Sequence, residues 1–378
     1  MWTQGRRLSS LLSLTEEEKT VMKRILSLAI AALMLCSACQ KADKEKTAVA
    51  DDSFRLLVKV QGKYGYCDRK GTMVIPAQYE SAALFSEGLA AVHQGGKDGY
   101  IDVQGKMVIQ PQFASGSLFK GGLAAVKSGD RWGYVDKSGA KVTKYPFLNT
   151  FVYTEGLAAV VIADKGRNKA GYIDKSGEYA IAPTFDGASI FSEGLAAVKI
   201  GKKYGYIDKK GHMVIKAEYT EAGPFHDGLA MIQINGKYGR LGYVDKKGTE
   251  VIPPQYGQAT NFNEGVAAVK KDKEWQLIDQ TGKPILNRTF LSPTIFSEGL
   301  APVMVEKKVG YMDKQGTMVI KPQFEAASIF VNGLAPVKVG EKCGYIDKKG
   351  NMVIKPQFEW DQRIIDQFTS YYTTLVGL

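Results

Sequence analysis

The chain has 378 residues, of which 44% are hydrophobic and 24% charged, with a formal net charge of +11. That balance is globular and excludes a chain too poor in apolar side chains to fold. The 41 Gly and 19 Tyr favour turns and strands over helices, and length alone fixes no domain count in a chain that repeats itself.

Residues 1–38 read as a targeting segment. Met22 is followed by Lys23 and Arg24, then the apolar run ILSLAIAALML, then Cys36-Ser37-Ala38-Cys39. This is the charged, apolar and small-residue order of a secretory signal, and the run is short for a membrane span. Arg6-Arg7 and Glu16-Glu17-Glu18 lie upstream, so Met22 is expected to be the true start. Ser37-Ala38-Cys39 resembles a bacterial lipobox, with Cys36 standing where Leu is usual. The resemblance implies acylation of Cys39, and Gln40 after it, being no Asp, implies outer-membrane sorting in a diderm bacterium. The alternative is an ordinary cleaved signal without lipid. Under the lipobox reading, residues 39–53 are the lipidated Cys and a polar, flexible tether.

Nine copies of one stretch follow. GYIDKKG occurs at Gly205 and again at Gly344, with near copies from Gly65, Gly99, Gly133, Gly171, Gly242 and Gly310 and a degenerate one, QLIDQTG, from Gln276. The spacing is 34 residues except for two longer steps, whose extra residues fall after Val161 and after Asn235, where an exposed connection absorbs them. Within the unit 194–227, LAAVKI, YGYID and MVIKAEY are short runs rich in β-branched and aromatic residues, separated by GKK and KKG. That pattern predicts a three-stranded meander. A helical repeat of the same period would bury several Gly and is rejected.

Asp208 and Gly211 suit the first and fourth positions of a type I turn, as do Asp68 with Gly71 and Asp347 with Gly350. A calcium ladder is the weaker alternative for these Asp residues, because its nine-residue spacing is absent. In FSEGLAAV, Phe191 reads as a core anchor, Gly194 as an unusual backbone angle, and Glu193 as a loop carboxylate that satisfies nearby backbone donors. Glu87, Glu155, Glu264 and Glu298 recur at that position.

These units resemble the WG or KWG β-repeats found in tandem in many bacterial proteins, including envelope lipoproteins. Trp-Gly survives in full at Trp132-Gly133 and is Tyr64-Gly65, Tyr204-Gly205 and Cys343-Gly344 elsewhere. The repeats cover 54–360, and the resemblance implies a binding or structural role with no catalytic residue set. The fold expected is all-β, an open curved solenoid or superhelix, since both ends of the array fall in the same frame and no borrowed strand is visible; a closed β-propeller is the alternative. Residues 361–378 match no unit and are expected to cap or trail the array.

Cys67 and Cys343 replace core residues of the first and last copies and read as buried thiols, since a disulfide would require the array to close on itself. His93, His212 and His226 occupy unrelated repeat positions; no zinc spacing, phosphate loop or nucleophile elbow is present, so no cofactor, metal site or enzymatic activity is expected. Without residues 1–38 the chain holds 45 Lys and Arg against 36 Asp and Glu, a net charge of +9. Lys202, Lys203, Lys209, Lys210, Lys246, Lys247, Lys307, Lys308, Lys348 and Lys349 sit in turns and are expected to form a positive stripe along one edge. The alternative is a solvated rim that keeps strand edges apart. The expected function is a noncatalytic, lipid-anchored interaction protein of the cell envelope that binds a protein or an anionic polymer and not nucleic acid. A glycan-binding or glycan-processing role, stacking sugars on Trp132, Trp275 or Tyr204, is the other reading.

Overall fold

The computed structural model describes residues 54–143, 146–234, 239–290 and 292–367. The segment expected to be a signal, Cys39, the expected tether and most of the tail lie outside the described residues. From Arg55 onward the chain forms nine small antiparallel sheets in ring order, here called blades 1 to 9.

Blade 5 shows the plan, with strands Gly187–Ala188, Leu195–Ile200, Lys203–Asp208 and Met213–Tyr219. Each is antiparallel to the next. The last three are the expected meander; the two-residue strand before them adds an edge. Leu195, Ala196, Ala197 and Val198 are all buried, because a central strand covered on both faces reads as a continuous apolar run instead of an alternation. The core lies between blades. Leu157, Ala159, Tyr172 and Ile181 of blade 4 pack with Phe191, Ala196, Val198 and Ile207 of blade 5. A unit that buries its apolar face only against a neighbour depends on the array for its stability.

Each Tyr of the GY pair ties this interface. The Tyr206 ring lies 4.9 Å from Phe225 and its hydroxyl donates to Gly223 O at 2.8 Å. The Gly before it has a different task. A Cβ on Gly205 would stand 2.5 Å from Ile215 O and 2.7 Å from Ala217 N, so the third strand approaches over a bare α-carbon. Pairing slips at this place, between Tyr204 and Tyr206, the mark of a bulge. In blade 7 Gln276 occupies the position, and among the described residues the outer run pairs with Glu274–Ile278 through isolated bridges at Trp275–Phe290 and Ile278–Pro284.

The ring is closed, the second of the two arrangements open to the sequence. Seven of the nine turn Gly seat on an Ile of the preceding blade, as Gly211 does on Ile181 and Gly248 on Ile215, while Gly177 seats on Val142 and Thr143 and Gly316 on Leu286; the series ends with Gly71 of blade 1 on Ile354 of blade 9. Tyr345 donates to Leu57 O at 3.4 Å, and Glu359 accepts from Gly62 N at 3.0 Å. Matching frames at the two ends were compatible with closure because no borrowed strand is needed; the last strand, Met352–Glu359, lies against the first. Asp361 then accepts from Lys59 Nζ at 2.7 Å and Tyr64 Oη at 2.9 Å, and residues 362–367 form a helix whose Gln367 donates to Ala82 O. Burial opposes ionisation of Asp361, but bonds from Lys59, Arg363 and Tyr64 outweigh it and hold the carboxyl well below the ordinary range.

Candidate interaction surface

The strand register gives the ring two rims. Lys203 opens a strand that Asp208 closes, so the hairpin tip and the D-x-x-G turn stand roughly 17 Å apart at opposite ends of each blade. The ten lysines expected on one stripe are therefore divided. Lys202, Lys203, Lys307 and Lys308 lie on the hairpin rim, whereas Lys209, Lys210, Lys246, Lys247, Lys348 and Lys349 lie on the turn rim. Reversal of chain direction at each hairpin is the reason.

On the turn rim, Asp208 Oδ1 accepts from Lys210 N and His212 N, both at 2.9 Å, and Gly211 N donates to Asp208 O at 3.0 Å with φ +85°. These backbone bonds, led by that from His212, lower the Asp208 pKa. Asp68 with Gly71 and Asp347 with Gly350 repeat the arrangement. Each such Asp is spent on its own turn, and among the described residues no group of three His, Cys, Asp or Glu gathers as a metal site.

Beside each turn runs a second loop. Glu193 (φ +53°) and Gly194 (φ +88°) form a two-residue hairpin loop closed by Ser192 and Leu195. A left-handed Glu costs about 1 kcal/mol or more, and the position of its carboxylate shows what offsets it. Glu193 accepts from Gly228 N of blade 6 at 3.1 Å and pairs with Lys246 Nζ at 2.8 Å. Burial works against this carboxylate's charge, yet Lys246 and Gly228 N lower its pKa. The same clasp joins Glu155 to Gly194 and Lys209, Glu264 to Gly299 and Lys314, and Glu298 to Gly333 and Lys348. Glu87 reaches Gly121, Gly122 and Lys137. Three of the ten lysines, Lys209, Lys246 and Lys348, are thus blade-to-blade ties.

The joints that lack Glu use other groups. Asn332 O of blade 9 accepts from Arg69 of blade 1 at 3.1 Å, and Arg55 donates to Val103 O at 2.8 Å from blade 1 to blade 2.

The aromatic slot before the repeat Gly faces inward. Trp275 is buried with Lys270 Nζ 5.8 Å from its ring centroid, and Lys199 covers half-buried Tyr204 in the same way. Trp132 is half-buried against the Phe147 and Tyr153 cluster. His93 meets Asp98 at 2.6 Å, His212 meets Asp208 at 3.2 Å, and burial lowers His226 to about 4 against the pull of Glu193 and Asp227. Cys67 and Cys343 are free and buried on either side of the seam between blades 1 and 9, and burial pushes each thiol up to about 12.

No curated protein matches the sequence. Among solved structures the chain is similar to a eukaryotic initiation factor, at 12% identity over 79% of this chain and 99% of that one, with a TM-score of 0.40. It is also similar to puromycin hydrolase, at 14% identity over 68% of this chain and 59% of the hydrolase, under two thirds of its length, with a TM-score of 0.35. Kluyveromyces lactis Hsv2 matches at 10% identity over 66% and 89% of the two chains, with a TM-score of 0.35. The WG containing repeat matches residues 64–97, 99–132, 132–165, 171–204, 204–238, 242–275, 310–343 and 344–364. These segments span most of the chain, which belongs to the WG-repeat family.

Proposed function

We propose that this protein is an exported, lipid-anchored and noncatalytic interaction protein of the bacterial envelope, held through Cys39 and presenting its ring to a protein or an anionic polymer. The observation that carries the reading is the closed ring of nine blades, tied by carboxylate clasps, which repeats the same surface chemistry around two rims. A rigid, repetitive surface suits a partner that makes many weak contacts at once. Lys23, Arg24, the apolar run after them and Cys39 support export and acylation.

The test is metabolic labelling of the full chain with a clickable palmitate analogue, followed by membrane fractionation and cross-linked capture from intact cells. Label and membrane association lost in Cys39→Ala, with a partner retained at low salt, is the expected result. An unlabelled, soluble chain would sink the envelope reading.

A further inference from the structure

The joint between blades 7 and 8 breaks the repeat in several places at once. Gln276 stands for the repeat Gly, and Leu277 stands for the Tyr whose hydroxyl bonds across every other joint. Tyr243, for example, donates to Thr260 O at 2.6 Å, whereas Leu277 has no hydroxyl to offer Thr294 O. Among the described residues of blades 2 to 9, only blade 8 lacks the short first strand, and Pro293 stands there where Ala259 pairs in blade 7. The residue before the core aromatic is Leu, Val, Ile or Pro in seven of these eight blades and Asn261 in blade 7. Places where a sequence breaks its own local rules are where function is sought first.

A partly open cavity of about 140 Å³ lies at this joint. Blade 7 lines it with Thr260, Asn261, Asn263 and Val266, and the chain entering blade 8 with Thr294, Ile295 and Phe296. Most of the wall is fixed. Thr260 Oγ1 accepts from Ala268 N at 2.9 Å, Asn263 Nδ2 donates to Phe296 O at 2.6 Å, and the clasp between Glu264 and Lys314 holds the two blades together alongside. Asn261 differs, because its buried Oδ1 has no hydrogen-bond partner. Nothing at that atom fixes the carboxamide, which can turn to offer the cavity either its oxygen or its amide nitrogen. A buried polar atom left unpaired is costly, and a ligand that bonds to the carboxamide would relieve that cost.

We infer that this cavity is a binding site for a single neutral pyranose sugar. Its volume is close to the roughly 150 Å³ that admits benzene, so it takes one six-membered ring whose substituents leave through the open side. No Lys, Arg, Asp or Glu lines it, and burying an unpaired charge there would be costly, which disfavours an ionic ligand. A wholly apolar ring would leave the carboxamide and the Thr hydroxyls without partners. A pyranose satisfies both walls: its C–H face can rest on Val266, Ile295 and Phe296 while its hydroxyls bond to Asn261 and Thr294. A few polar groups set in an apolar lining are the usual make-up of a small-molecule site. The site is separate from the inward-facing aromatic slots, and it stands whether or not the ring also meets a protein or an anionic polymer.

Saturation-transfer NMR and titration of the purified full chain with glucose, galactose, mannose and N-acetylglucosamine test this, with glucuronate as the charged control and cyclohexanol as the apolar one. Asn261→Leu restores the residue type of the other blades, so its urea midpoint should equal or exceed that of the wild type, which separates loss of the site from loss of the fold. Expected is binding of at least one neutral sugar, about tenfold or more tighter than either control, and weakened by about tenfold or more in Asn261→Leu. Thr294→Val, which changes little in shape, should weaken the same sugar several-fold and decides the matter should the first variant prove unstable. No sugar binding, binding undiminished in the folded variants, or equal binding of cyclohexanol or glucuronate would overturn the assignment. Each readout is independent of Cys39 labelling, so failure here leaves the envelope reading to its own test.

Discussion

Gly205→Ala adds one methyl group where the third strand crosses the second. The new carbon would lie 2.5 Å from Ile215 O and 2.7 Å from Ala217 N, both main-chain atoms that cannot rotate aside. Relief requires the strand Met213–Tyr219 to withdraw by roughly 0.5–1 Å, a displacement that a close-packed interior does not absorb freely. Overpacking of this kind costs about 1–3 kcal/mol. Withdrawal also lifts Ile215 from its seat against Gly248 of blade 6, so the upper end of that range, about 3 kcal/mol, is expected. Gly201→Ala is the internal control. Its φ is +62° with open space around the added carbon, so it bears only left-handed strain of about 1–2 kcal/mol. Urea unfolding followed by far-UV circular dichroism would report both as midpoint shifts. If Gly201→Ala proves as damaging as Gly205→Ala, the close approach of the third strand is not what reserves this position for glycine.

Further outcomes follow from the clasps, the seam and the buried groups. Glu193→Gln should cost about 1 kcal/mol and speed amide exchange at Gly228, whereas Glu341→Gln, whose exposed carboxylate pairs with Lys338, should change stability little; equal effects would deny the clasp a role. Asp361→Asn should cost about 2–3 kcal/mol at pH 7. Because the folded carboxyl is held below its ordinary range, this contribution is complete above the unfolded value of about 4 and drains as pH falls through the folded one, so variant and wild type converge in acid. A gap constant from pH 7 to 3 would contradict the assignment. His226, lowered to about 4, contributes stability that is complete above about 6.5 and lost as pH falls toward 4, and His226→Gln should flatten that window of the urea midpoints. Cys67 and Cys343 should resist an aromatic disulfide reagent at pH 8 in the folded ring and both react after unfolding; rapid labelling of the native protein would show that the seam opens.

The local chemistry was readable because it repeats within a few residues: the Asp-x-x-Gly turns and the run LAAV each carry their reason with them. The third strand's approach to Gly205 was not, since the atoms that forbid a side chain belong to Ile215 and Ala217, about one strand further on. The clasps left a signal that spacing could have exposed. Glu87 and Lys137, Glu264 and Lys314, and Glu298 and Lys348 all stand 50 residues apart. Closure is the least legible feature, because it depends on the rotation accumulated over all nine blades and no single residue records that angle. The division of the lysines between two rims followed from strand direction, which composition around a turn does not show.

Near-identical blades also create a hazard during folding. GYIDKKG in blade 5 and blade 9 is the same peptide, so an incomplete chain could close early, omit a blade, or accept one from another molecule, with little loss of local contact. The seam separates correct from incorrect closure. Only the last blade is followed by Asp361, only the first offers Lys59 and Tyr64 to it, and Gln367 reaches Ala82 just beyond. These contacts act as an address that tells the final repeat where the first one is, and they make the count of nine a property of the assembled ring.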